Sequence, residues 1–108
     1  MVKKIEYTET QKKLALFAKA LSHPARISIL EKLASQSCCY SGDMAEEIPI
    51  ARSTLSQHLK ELKISGLIQG EIKPPKIKYC INHENWNQAK NLFIEIFSNP
   101  PKTGKKIC

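Results

Sequence analysis

The stretch Ser41–Leu62, SGDMAEEIPIARSTLSQHLKEL, decides how this chain is read. In its second half Leu55, Leu59 and Leu62 recur at i, i+4 and i+7, one stripe of a helix expected from about Arg52 to Ser65. Gly66 follows, where a glycine commonly stops a helix. Ser53, Ser56, Gln57 and Lys60 project away from the leucines, with Thr54 on the shoulder. The first half reads as a short helix, roughly Gly42–Glu47, with Met44 and Ala45 turned inward and Pro49 closing it. A short helix, a tight turn and a longer helix with a polar outer face form a helix–turn–helix.

Outward from this stretch the pattern continues. Upstream, Leu14, Phe17, Ala18 and Leu21 share one helical face that ends near Ser22-His23-Pro24. Pro24 stops one helix and opens the next, because its missing N–H costs nothing in a first turn. That second helix is expected to bury Ile27, Leu30, Leu33 and Ala34, and Ser35–Tyr40 breaks it. Downstream, Leu67–Ile72 and Ile77–Ile81 read as strands joined by Lys73-Pro74-Pro75-Lys76, a hairpin with a basic tip. Alternation turns Ile77, Tyr79 and Ile81 inward and leaves Lys78 and Cys80 on the other face. A last helix, about Glu84–Phe97, carries Trp86, Ala89, Phe93 and Ile96-Phe97 before Asn99-Pro100-Pro101 ends it. The expected fold class is mainly α with a small β-hairpin wing: a winged helix–turn–helix in the order α-α-α-α-β-β-α. Residues 1–11 are expected as an N-terminal extension, 12–97 as the DNA-binding and dimerisation domain, and 98–108 as a basic tail bearing Cys108.

Composition narrows the function. The chain has 108 residues, 42% of them hydrophobic, and 17 Lys+Arg against 10 Asp+Glu give a net charge of +7. A chain this short buries only about 60–70% of its unfolded surface, so a second copy would supply useful burial. The basic balance favours a polyanionic partner, most simply nucleic acid. No segment approaches the ~20 consecutive apolar residues that span a bilayer. Lysines without a following apolar run at the N-terminus do not make a secretory signal. A cytoplasmic location is therefore expected, with the cysteines as reduced thiols. The positions 38, 39, 80 and 108 read as a poor disulfide framework, since a bond between neighbouring cysteines is strained.

The outer face of the second helix of the helix–turn–helix is the candidate DNA reader. Ser53, Thr54, Ser56, Gln57 and Lys60 offer hydroxyls, an amide and an ammonium to base edges and phosphates in a major groove. Arg52, at the helix start, is expected to hold phosphate, and Lys73, Lys76 and Lys78 make the wing cationic. His58 lies nearer the leucine stripe and is expected to pack or to contact phosphate. Two residues apart on a helix, Ser56 and His58 do not face each other and make no catalytic dyad. An enzyme is not supported: Arg26 and Arg52 are the only arginines, neither is spaced to close a phosphate loop on a cysteine, and glycine-rich nucleotide loops are absent.

These residues resemble the ArsR/SmtB family of bacterial metalloregulatory repressors. The matching pieces are Ala20–Leu30 (ALSHPARISIL), Ser53–Leu62 with Gly66-Leu67 (STLSQHLKEL…GL), and the wing ending in Tyr79-Cys80-Ile81. The resemblance implies a homodimer, built mainly from the first and last helices, that represses by binding double-stranded operator DNA with an imperfect inverted repeat and is released by a ligand. By position and apolarity Trp86, Phe93 and Phe97 match the dimer face, the alternative being that they only close the monomer core; Leu14, Phe17 and Ala89 are expected on the same dimer face. No cofactor is expected for DNA binding.

The cysteines point to the inducer. Many arsenic-sensing members carry a Cys-x-Cys-Asp pattern in the short helix. Here Asp43 is present, but Tyr40 and Gly42 hold the cysteine positions, and the cysteines lie upstream at Cys38 and Cys39. Arsenite or antimonite prefers thiolates. The vicinal pair is expected to supply two sulfurs. Cys108 on the tail is expected as the third, and Cys80 as its alternative. A competing reading is a redox or reactive-sulfur sensor in which Cys38 or Cys39 joins Cys80 or Cys108. The scarcity of basic residues around the pair, which would lower a sensor thiol's pKa, favours the metalloid. A zinc site is not expected, because His23, His58 and His83 lack ligand spacing and the last helix lacks the acid–histidine pattern of zinc-sensing members.

Overall fold

Thr8 opens the first helix with a capping box, its hydroxyl accepting from the Gln11 N–H while the Gln11 side chain accepts from the Thr8 N–H. This helix, α1, spans Glu9–Ala20 and so starts inside the stretch expected as an extension. The computed structural model describes residues 5–37, 39–73 and 76–102. After α1 come α2 (Pro24–Ala34), strand β1 (Tyr40–Ser41), α3 (Met44–Glu47), α4 (Arg52–Ile64), β2 (Ile68–Lys73), β3 (Lys76–Ile81) and α5 (His83–Ser98). The expected winged helix–turn–helix is thus present, with one strand that the sequence reading did not contain.

That strand, β1, lies in the segment read as a simple break. It pairs antiparallel with β3, Tyr40 opposite Tyr79 and Ser41 opposite Lys78, in a sheet ordered β1-β3-β2. At two residues it carries too little periodicity to be recognised alone. Its partner strand stabilises it, together with the burial of Tyr40.

The core lies between the helices and the inner face of this sheet. Leu55, Leu59 and Leu62 are buried as expected, against Ile29, Leu30 and Leu33 of α2 and Ile68 of β2. On α2 the expectation needs correcting. Ile29 is buried while Ile27 is 39% exposed and Ala34 is exposed, because the face turned to α4 and β3 is centred on Leu30 and Leu33. Met44 closes the base of α3, whose N-cap is Asp43, accepting from the Ala45 N–H at 3.1 Å. α1 packs on α5, with Phe17, Ala20 and Ala89 buried.

Two glycines fit tight places. Gly66 ends α4 at φ +82°, and a Cβ there would lie 2.7 Å from the Asn85 amide nitrogen, which donates to the Gly66 carbonyl at 2.8 Å. At Gly70 the opposite Tyr79 ring fills the space where a Cβ would stand. Gly66→Ala is expected to cost about 1–2 kcal/mol of stability, from backbone strain plus displacement of Asn85. Urea denaturation of the variant checks it; an unchanged midpoint refutes the account.

A candidate nucleic-acid interface and the cysteine pair beside it

α4 presents the face the leucine stripe implies. Ser53, Thr54, Ser56, Gln57 and Lys60 are all exposed, and Lys78 is exposed on β3. Lys73 and Lys76 pair through their backbones at the end of the hairpin, while their side chains and Pro74-Pro75 lie outside the described residues. Arg52 is exposed at the start of α4, where its guanidinium pairs with Asp43 at 2.5 Å. The Arg52 hydrogen bond holds the Asp43 carboxyl below its ordinary range. Asp43 thus caps α3 and ties it to α4, joining the two helices of the motif through one carboxylate. The pair is solvent-facing, so it orients more than it stabilises.

His58 departs from the expected DNA face. It is only 7% exposed, and its Nδ1 accepts a hydrogen bond from Arg26 Nε at 3.1 Å. Four residues after Thr54 and four before Leu62, it turns into the α2 side of α4, so it belongs to the packing side of the helix and not to the groove-reading one. The dimer-face set also divides. Phe17 (3% exposed) and Ala89 (6%) close the monomer core. Leu14, Trp86 and Phe93 are half-buried, and Phe97 is 79% exposed. Leu16 and Ile94 are exposed as well, two apolar residues outside the buried stripes of α1 and α5.

The thiols are placed by the sheet register. Tyr40 opposite Tyr79 and Ser41 opposite Lys78 make Cys39 and Cys80 the next rung. Their Cα atoms are 4.5 Å apart, the spacing of a non-hydrogen-bonded antiparallel pair, where side chains approach most closely. The two are joined as a disulfide. This corrects the expectation of reduced thiols with no disulfide framework. The competing redox reading included Cys39 with Cys80 among its pairings but could not select it, because the strand that brings position 39 to position 80 is only two residues long. The signal that could have found it is the alternation itself, which puts Cys80 and Lys78 on the outer face and so selects Cys39, and not Tyr40, as the neighbour. Cys80, second choice in the sequence reading, is therefore the thiol beside Cys39, whereas Cys38 and Cys108 lie outside the described residues. A surface pocket of about 250 Å³, lined by Ala34, Ser37, Gln69 and His83 among others, opens on the two sulfurs. Among the described residues no group of three or more His, Cys, Asp or Glu is arranged to hold a metal ion.

Below the pair, the Tyr40 hydroxyl donates to Glu47 Oε2 at 2.9 Å, and Lys32 meets the same oxygen at 2.9 Å. Burial and then this bond push the Tyr40 hydroxyl up to about 12. Lys32 first, then Tyr40, hold Glu47 below its ordinary range. The residue after Cys39 is thereby fastened to α3.

Comparison with known proteins agrees with this geometry. A family model described as a helix-turn-helix domain matches residues 21–71. The chain is 32% identical over 85 residues to the HTH-type transcriptional regulator YgaV of Escherichia coli, covering 79% of this chain and 82% of that one. It superposes on an ArsR-like transcriptional regulator from Rhodococcus with a TM-score of 0.68, at 24% identity over 84% of this chain and 85% of that one, a likeness of fold. The chain belongs to the ArsR/SmtB family. The NMR structure of CmtR from Mycobacterium tuberculosis, described as a cadmium sensor, is a further match within it, with a TM-score of 0.54 and 25% identity over 88% of this chain and 96% of that one. As a member of this family the protein is a DNA-binding transcriptional regulator, and its relatives are regulators, not enzymes.

Gln57→Ala is expected to weaken operator binding by about 1–3 kcal/mol, and Lys60→Ala to lower the salt dependence by about one phosphate contact, both with unchanged thermal unfolding. Fluorescence anisotropy across a salt series checks both; wild-type binding in both variants would move the recognition surface off α4.

Proposed function

We propose that this ArsR/SmtB protein is a homodimeric repressor whose hold on an inverted-repeat operator is set by the thiol state of Cys39 and Cys80. One observation carries the reading: Cys39, just before β1, and Cys80 of β3 are facing neighbours beside an open pocket. Oxidation balances simply. The two thiols give two electrons and two protons to a two-electron oxidant, a peroxide or a polysulfide, and the S–S bond forms.

The bond has a short route to the DNA-reading parts. Cys80 is two residues from Lys78 on the wing strand, and Cys39 precedes β1, which leads through Tyr40 and Asp43 into α3. With the bond closed, wing and α3 are held in one relation. With it open, only the short β1–β3 pairing and the core hold them, and the angle between wing and α4 can adapt to a groove. The switch requires that the closed form favour the released state.

A second reading concerns the same sulfurs in reduced form. Cys39 and Cys80 are adjacent and supply two thiolates, and Cys38 and Cys108, both outside the described residues, are the candidates for a third. That donor set suits As(III) or Sb(III) as inducer. The cadmium-sensing relative supports thiophilic ions as a class without selecting arsenic.

For the dimer, the support is the apolar surface that a monomer leaves bare on α1 and α5: Leu16, Ile94, Ile96 and Phe97 are all exposed. Phe97→Asp is expected to shift the protein to monomer in sedimentation velocity; an unchanged dimer would place the interface elsewhere.

The thiol switch is tested by anisotropy on the promoter DNA upstream of the protein's own gene. Reduced protein should bind, a polysulfide should release it, and a dithiol reductant should restore binding. Cys39→Ser and Cys80→Ser should bind DNA and ignore the oxidant; release of either serine variant by the polysulfide would sink the pair. Release of reduced protein by arsenite alone, lost in Cys38→Ser, would select the metalloid reading.

A further inference from the structure

His58 and its surroundings have no part in the thiol switch, yet they join three helices. Arg26, in the first turn of α2, donates through Nε to His58 Nδ1 at 3.1 Å and through Nη1 to the Lys19 carbonyl in the last turn of α1 at 3.0 Å. The His23 ring lies against His58 with centroids 4.4 Å apart and planes tilted by 47°. His23 in turn caps α2, its Nδ1 accepting from the Ala25 N–H at 3.0 Å. One planar guanidinium thus ties the end of α1, the start of α2 and the middle of α4.

We infer that His58 is a positioning residue for operator binding: its Nδ1, held by Arg26, fixes the rotation of α4, and a proton on that nitrogen releases it. The inference rests on the reading of α4 as the DNA-recognition helix. His58 follows Gln57 directly and lies two residues before Lys60, so its anchor is level with the side chains that face the groove. With side chains a helix is about 10–12 Å across, so a rotation of about 10° moves a side-chain tip by about 1 Å. A hydrogen bond to a base edge tolerates about 0.5 Å.

The chemistry allows only one protonation state. The neutral ring accepts at Nδ1, whereas an imidazolium has only donors and would face the Arg26 charge. Burial first, then the charges of His23 and Arg26, hold the His58 pKa below its ordinary 6.5. The facing titratable or charged groups are Arg26 and His23 from α2; α1 enters through a backbone carbonyl. Glu61 lies one turn along α4 itself, and β2, also packed on α4, carries Glu71 and Lys73, whose side chains lie outside the described residues. With the folded pKa depressed, the unfolded chain binds the proton more readily. The tie is therefore fully present above about pH 6.5 and is lost as pH falls through the folded value.

The test uses the full chain, kept reduced, and a fluorescent duplex of its own promoter region, from about pH 5.5 to 8 at fixed ionic strength. His58→Asn keeps an acceptor near the Nδ1 position and cannot titrate; His58→Leu fills the space and removes the acceptor. Wild type should lose operator affinity measurably on acidification, by less than about tenfold because the folded pKa lies below 6.5. His58→Asn should bind like wild type at pH 8 with most of that loss gone, and its thermal stability should fall less in acid. His58→Leu should bind about tenfold more weakly at every pH. An acid loss in His58→Asn equal to wild type would overturn the proposal, as would wild-type affinity in a folded His58→Leu. If His58→Leu does not fold, the His58→Asn profile decides alone. Failure of wild type to bind this DNA at pH 8 would instead count against the DNA-recognition reading itself, a separate result from the shape of the pH profile.

Discussion

The antiparallel pairing of Tyr40–Ser41 with Tyr79–Lys78 is the contact on which the arrangement of the DNA-reading parts depends. β3 is the middle strand of the sheet, so it carries the wing hairpin on one edge and receives β1 on the other. Because β1 runs directly into Asp43 and α3, this pairing sets the helix–turn–helix against its own wing. The same register places Cys39 opposite Cys80. A covalent bond there extends a ladder that has few hydrogen bonds of its own. Under the proposed thiol switch, an event at that rung would act on a joint of only two paired residues, where a small free energy can shift a population.

Polar contacts around the joint repeat one theme: a single group serves two elements. Glu47 accepts from Tyr40 and pairs with Lys32, linking β1, α3 and α2. Asp43 caps α3 and pairs with Arg52 of α4. Arg26 holds His58 of α4 and the last turn of α1. The carboxylate pairs are solvent-exposed and each contributes little stability. Their role is geometric, and cohesion comes from the apolar core of Ile29, Leu30, Leu33, Leu55, Leu59, Leu62 and Ile68. The core is small and leaves Leu16, Ile94, Ile96 and Phe97 bare on α1 and α5, the surface on which the proposed pairing with a second copy rests.

Helices were legible wherever a long amphipathic repeat met a capping or breaking residue. Pro24 and Gly66 mark boundaries by local chemistry, and the leucine stripe of α4 fixed which residues face outward, whereas the caps at Thr8, Asp43 and Asn82 emerged only with the structure. Period-two alternation likewise placed Tyr79 inward and Cys80 outward. Readings stayed open or failed where two faces compete. For His58 packing and phosphate contact were both open, and Arg26, thirty-two positions earlier, decides for packing by giving it a buried partner. Phe17 and Ala89 were assigned to a dimer face although α1 and α5 bury them against each other.

By itself the sequence determined the helix–turn–helix, its wing, the polar outer face of α4 and the family, because these follow from repeats within single elements and from short local motifs. Only the tertiary structure decided which cysteine meets which, which histidine is buried and which aromatic residues stay bare. Those outcomes depend on the register of a two-residue strand and on the approach of residues far apart in the chain, and no local periodicity encodes either.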